Sequence, residues 1–131
     1  MQIKVMSVFV DDQEKALKFY TEVLGFVKKH EFPMGKYKWL TVVSPEEPEG
    51  MQLVLEPNDG FNPAAKAYQQ EIFKHGIPAA NFFVGDVQKE YERLKGHGVT
   101  FTKEPVKTVG STIAVLEDTC GNLIQITHLD W

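Results

Sequence analysis

The sequence predicts an α+β fold. Two βαβββ modules lie in one chain, and their mixed, curved sheets form a half-open, barrel-like cavity with helices outside it. Three observations lead there. The order strand, helix, three strands occurs twice, on either side of a linker. The letters repeat with the order: "FVDD" before a helix ending in "LGF" parallels "FVGD" before a helix ending in "GHGV", and "VVSPEEPEGMQLVL" parallels "VLEDTCGNLIQI". The period is roughly 70 residues, too long for a solenoid repeat and suited to a duplicated module. Finally, the strands alternate, so each sheet has an apolar face for a helix and another face free for chemistry.

Residues 3–10, "IKVMSVFV", read as the first strand, because Val and Ile fit a pleated surface. "DDQEKALKFYTEVLGF" reads as a helix, with Asp11 as its cap and Glu14 completing a capping box. Ala16, Leu17, Tyr20, Val23 and Leu24 form its apolar stripe, and Gly25 supplies the left-handed stop. "FVKKHEF", "KYKWLTVVS" and "MQLVLEP" are three further strands, the last two separated by the acidic turn "SPEEPEG". Asn62 and Pro63 open a linker helix over roughly 63–75, with apolar residues at 64, 68 and 72 and a stop at Gly76. The pattern then restarts. "AANFFV" is a strand, and "DVQKEYERLKGHG" is a helix capped by Asp86 with Val87, Tyr91 and Leu94 on one face. "VTFTKEP", "VGSTIAVLED" and "NLIQITHL" are the closing strands. The modules cover roughly 1–57 and 78–131 of one domain spanning 1–131.

The composition narrows the function. With 43% hydrophobic and 24% charged residues, the 131-residue chain can bury a core and is not disordered. Its apolar runs are too short to span a membrane. "MQIKVMSVFV" lacks the features of a signal peptide, and a single cysteine, Cys120, excludes an intrachain disulfide, so a cytoplasmic location is expected. A net charge of −4 without a basic patch argues against nucleic acid and leaves a neutral or cationic small molecule open. There is no G-x-S-x-G nucleophile elbow and no phosphate loop.

"VFVDDQEKALKFYTEVLGF", followed by "MQLVLEP" and by "EDTCGNLIQI", resembles the vicinal oxygen chelate superfamily across nearly the whole chain. That superfamily includes glyoxalase, extradiol dioxygenases and bleomycin resistance proteins. The motifs are specific for the fold but not for a reaction. The resemblance implies a divalent metal in the cavity of the enzymes, with a His or Glu ligand from the first and last strand of each module. Counting back from Val10 and Val84 puts two of these positions at Val5 and Ala79. The last strands put the others at Gln52 and Gln125. Val5 and Ala79 have no donor, and two neutral amides make a poor divalent site. No cofactor is therefore expected, with a Zn, Ni, Mn or Fe ion held weakly by Gln52 and Gln125 as the alternative. The four histidines lack ligand spacing: His75 and His97 belong to helix ends, and His128 has the wrong parity to join Gln125.

Strand parity sends Val5, Ser7, Phe9, Tyr37, Trp39, Thr41, Gln52, Val54 and Glu56 of the first module to the cavity face. Ala79, Asn81, Phe83, Leu123, Gln125 and Thr127 follow from the second. Such a surface, apolar and aromatic with a few polar points, suits a small molecule. Tyr37, Trp39 and Phe83 offer stacking; Ser7, Thr41, Gln52, Asn81 and Gln125 offer hydrogen bonds. Glu56 is the one candidate for a base or for a contact to a cationic guest. Each has a plainer reading. Trp39 and Phe83 fill space, Gln52 and Gln125 pair with one another, Asn81 caps backbone, Glu56 faces water, and Cys120 is an inert turn residue.

Three functions remain. The first is a metal-independent binder of a small, cationic or aromatic molecule, resembling the bleomycin-resistance branch. The second is a metal-dependent lyase, isomerase or dioxygenase of the glyoxalase type. The third is a non-catalytic regulatory or interaction module. The resemblance implies a homodimer in each case, and the charge and the short apolar runs argue against a nucleic-acid or membrane partner.

Overall fold

The computed structural model describes residues 1–131. The first module consists of β1 (Val5–Val10), α1 (Gln13–Lys18), β2 (Val27–Met34), β3 (Tyr37–Val43) and β4 (Gln52–Pro57). The linker helix α2 covers Ala65–Lys74. The second module consists of β5 (Ala80–Phe83), α3 (Val87–Gly96), β6 (Phe101–Thr108), β7 (Ser111–Glu117) and β8 (Leu123–Leu129). Each module forms its own four-stranded mixed sheet, in the orders β1-β4-β3-β2 and β5-β8-β7-β6. Within each, the first and last strands pair in parallel and the other pairs are antiparallel. The duplicated α+β architecture is therefore as expected, and neither sheet closes into a barrel.

Alternation decides which face of each sheet is buried. Val8, Val10, Leu40, Val42 and Leu55 on one sheet, and Ala114, Leu116, Ile124 and Ile126 on the other, belong to a single buried cluster. The helices complete it with Ala16, Phe19, Tyr20, Val87 and Leu94. The helix-covered faces of the two modules thus share one core, and each aliphatic side chain buried there contributes about 1.5–3 kcal/mol. Aromatic edges knit the join: Phe26 meets Phe82 at 5.0 Å and Tyr20 meets Phe82 at 6.4 Å between ring centroids. The opposite faces, which carry the predicted cavity residues, turn away from this core.

Three local features differ from expectation. Asp12, not Asp11, caps α1, accepting from the Lys15 amide at 3.0 Å, while Asp11 pairs with the Lys15 ammonium. Asp12 has the extended backbone that a cap requires. The helix then widens into a π-helical turn, Phe19–Val23, before Gly25 ends it at φ 93°. In α2 the anticipated apolar stripe at 64, 68 and 72 is not the buried one: Ala65 and Gln69 face inward, while Tyr68 is exposed. Asn62 caps the turn ahead of α2 by accepting from the Ala64 amide, so the regular helix starts later than its signals suggest.

A buried polar network explains why Gln69 faces inward. Its Nε2 donates to the backbone oxygens of Phe9 and Cys120 at 2.9 and 3.0 Å and to Asn122 Oδ1 at 3.1 Å. Its Oε1 accepts from Asn58 Nδ2 at 2.8 Å. Asp118, fully buried, accepts the Tyr20 hydroxyl, the Cys120 and Asn122 amides and the Asn122 side chain. The "EDTCGN" turn therefore fastens the linker helix, β1 and α1 together. No buried side-chain polar atom lacks a partner. No helix is long and apolar enough to cross a membrane.

Candidate functional site

The first sheet's outward face is a pleated ledge. Parallel pairing sets Val5 opposite Gln52, Ser7 opposite Val54 and Phe9 opposite Glu56. On the neighbouring strands, His30 lies opposite Thr41 and Phe32 opposite Trp39. Parity therefore places Ser7, Trp39, Thr41, Gln52 and Glu56 on one face. Thr41 and Val54 are buried there, whereas Trp39, Gln52 and Glu56 are half-buried and Ser7 is exposed. Tyr37 is tied down locally: its hydroxyl donates to Asp59 Oδ1 at 2.9 Å, and its ring meets Phe61 edge-on.

A polar cluster occupies the middle of this ledge. Gln52 Oε1 accepts the Thr41 hydroxyl at 2.7 Å and lies 3.0 Å from His30 Nδ1. The His30 amide donates to Thr41 Oγ1 at 3.2 Å. His30 also stacks on Phe32, with ring centroids 5.4 Å apart and planes 25° from parallel. His30 and Phe32 were not among the predicted site residues. Their signal is the alternation on β2, which puts both on the face of Thr41 and Trp39. Ser7 and Gln52 open with Ala79 and Asn81 into a crevice of about 360 Å³ where β1 and β5 approach one another.

On the second sheet Asn81 pairs with Gln125 and Phe83 with Thr127. Thr127 Oγ1 donates to Asn81 Oδ1 at 2.6 Å and receives Gln125 Nε2 at 3.1 Å. Phe83 is 61% exposed, whereas Leu123 and Thr127 are buried. Gln125 lines a separate groove of about 390 Å³, beside Phe73, Lys74 and Pro78. The two glutamines therefore do not pair; each amide is engaged within its own module.

The sheet register corrects their supposed equivalence. Val10 and Val84 are counterparts in the repeat, so Ser7 corresponds to Asn81. Ser7 faces Val54 and Asn81 faces Gln125, which makes Val54, not Gln52, the counterpart of Gln125. Gln52 lies one pleat earlier, on the same face but at a different level. The positions that the repeat relates are thus Val5, Val54, Ala79 and Gln125, with one neutral amide among them. No three His, Cys, Asp or Glu side chains anywhere in the chain cluster as metal ligands. Such a donor set does not fit a divalent ion, which needs carboxylates, imidazoles or thiolates.

Cys120 is buried in the turn; desolvation, reinforced by the nearby Asp118 carboxylate, raises its pKa to about 12. His75 and His97 end α2 and α3 as expected, and His128 Nδ1 lies 3.2 Å from the Val84 carbonyl.

Duplicated βαβββ modules, each with one face of its sheet in a shared core and the other turned outward, define a class, and comparison gives it a name. Residues 2–126 match the model of the Glyoxalase/Bleomycin resistance protein/Dioxygenase superfamily, and the chain belongs to that superfamily. It is 60% identical over 128 residues to the uncharacterized protein YurT of Bacillus subtilis (strain 168), covering 98% of this chain and 99% of that protein. Among solved structures, UcmS2 matches with a TM-score of 0.83 and 33% identity, covering 100% of this chain and 98% of that one. TnmS3, an antibiotic binding protein from Streptomyces sp. CB03234, matches with a TM-score of 0.78 and 26% identity, covering 98% and 96% of the two chains.

Proposed function

We propose that this protein binds a small, flat, partly aromatic molecule without the help of a metal, on the outward faces of its two sheets. The carrying observation is the makeup of those faces. Phe32 is 52% and Phe83 61% exposed, Trp39 is half-buried, and the polar points are the neutral groups of Ser7, Thr41, Gln52, Asn81 and Gln125. Aromatic surface left bare beside a few hydrogen-bonding groups is the usual makeup of a small-molecule site. The likeness to an antibiotic binding protein over nearly the whole chain supports the same reading. Glu56 remains a contact for a cationic guest, and no turnover is proposed.

Each face is an open ledge in the single chain. We therefore place it in a homodimer in which the first sheet of one copy faces the second sheet of the other and closes the cavity. The exposed apolar side chains support this, because facing sheets would cover them. A buried, unpaired thiol suits a reducing compartment, and we place the protein in the cytoplasm.

The test is a thermal-shift and calorimetry screen of planar aromatic compounds, with and without a chelator. Binding that is indifferent to chelator is expected. Binding lost on chelation and restored by one metal would overturn the metal-free reading, and no bound compound at all would overturn the binding reading. Sedimentation velocity should give twice the monomer mass; a monomer removes the dimer.

A further inference from the structure

We propose that His30 is the hydrogen-bond acceptor that selects the ligand, which is a planar aromatic molecule carrying a hydroxyl or N–H donor on its edge. This rests on the binding function proposed above and specifies the chemistry of that site.

The hydrogen bonds favour one tautomer. Gln52 Oε1 accepts the Thr41 hydroxyl at 2.7 Å and lies 3.0 Å from His30 Nδ1. Thr41 Oγ1 accepts the His30 amide and directs its own proton to Gln52. A carbonyl oxygen cannot donate, so Nδ1 carries the proton in the His30–Gln52 bond. In the neutral imidazole this leaves Nε2 as a bare acceptor. With the Gln52 oxygen on this side, both the Thr41 proton and the Nδ1 proton have an acceptor.

The surroundings give that acceptor a use. The imidazole lies nearly parallel to Phe32. Phe32 is bare and faces Trp39 across the strand pair. A flat molecule lying on Trp39, across the strand pair from Phe32, can turn its edge toward the imidazole, where an O–H or N–H finds an acceptor already oriented. Orientation in advance matters because no ordering cost is left to the moment of binding. Gln52 is then a positioning residue for His30.

The probes are 2-naphthol and 2-methoxynaphthalene, which share a planar surface and differ in the donor. Calorimetry should show the wild type binding the naphthol about three- to tenfold more tightly, the range of one net neutral hydrogen bond. His30→Gln places an amide near the former Nε2 and should retain part of the preference. His30→Asn keeps a donor near Nδ1 but loses the acceptor, so it should bind both probes alike. Equal binding of the two probes by the wild type, or a preference that survives in His30→Asn, overturns the inference while leaving the binding function intact. Failure of both probes to bind overturns the planar-aromatic ligand and this inference with it.

Discussion

The Tyr20 hydroxyl donates to Asp118 Oδ2 at 2.7 Å, joining residues 98 positions apart and linking the helix of one module to the closing turn of the other. Both side chains are fully buried. Tyr20→Phe removes the donor and leaves the carboxylate one partner short, so it should cost about 1–3 kcal/mol of stability. Asp118→Ala strands Tyr20, two backbone amides and the Asn122 side chain together, and should cost about 3–5 kcal/mol. Urea titration of the two variants checks the order.

The same join makes the protein sensitive to alkali. Burial first, and then the Asp118 charge, hold the Tyr20 hydroxyl well above its ordinary value of 10. Burial similarly lifts Cys120 from 9 to about 12. The unfolded chain releases both protons at lower pH than the folded one, so raising the pH favours unfolding. The stabilising contribution is complete below pH 9, falls as Cys120 titrates toward about 12, and falls further above 10 through Tyr20. Denaturation midpoints measured from pH 8 to 11 should decline, and Tyr20→Phe should decline less steeply above pH 10. A flat profile would contradict this account.

Cys120 should be chemically silent in the native protein. Its side chain is fully buried, and its thiolate is disfavoured by burial and by Asp118. A thiol-reactive dye at pH 8 is expected to label it only at the rate of unfolding, and labelling should quicken in Asp118→Ala. Rapid stoichiometric labelling of the wild type would show the turn to be open.

Gly121 and Gly25 both have φ near 95°, at 98° and 93°, yet they differ in surroundings. A Cβ at Gly25 meets nothing within 4 Å, whereas one at Gly121 falls 2.7 Å from Gln69 Nε2. Gly25→Ala should therefore cost only the backbone term, about 1–2 kcal/mol. Gly121→Ala should cost more, because it also displaces the amide that holds Phe9, Cys120 and Asn122 together. Pairing Gly121→Ala with Gln69→Ala should be less than additive, which a double-mutant cycle reads directly.

Much of this was legible in the residues. The duplication, the helices and the sheet faces follow from alternation, and Val8 and Val10 are buried while Ser7 is exposed, as parity requires. Register along the strand was legible only in part. Strand parity alone does not separate Gln52 from Val54, because a shift of one pleat keeps the face. The glycines that precede β4 and β8 do separate them: Val54 follows Gly50 by four residues, as Gln125 follows Gly121. The inward-facing Gln69 was hidden: a buried amide satisfied by distant backbone leaves no local signature.

The unequal ties of the two glutamines give a last prediction. Gln52 receives the Thr41 hydroxyl and engages His30, so truncation leaves both side chains without that partner. Gln125 makes one side-chain bond, to Thr127, which is still held by Asn81. Gln52→Ala should destabilise the protein by about 1–3 kcal/mol, and Gln125→Ala by less than about 1 kcal/mol. If the two were equivalent members of one symmetric site, the losses would match. Thermal unfolding of both variants decides between these outcomes: equal losses would mean that the register does not separate their roles, and a loss confined to Gln52 would mean that this amide has been recruited to hold an imidazole.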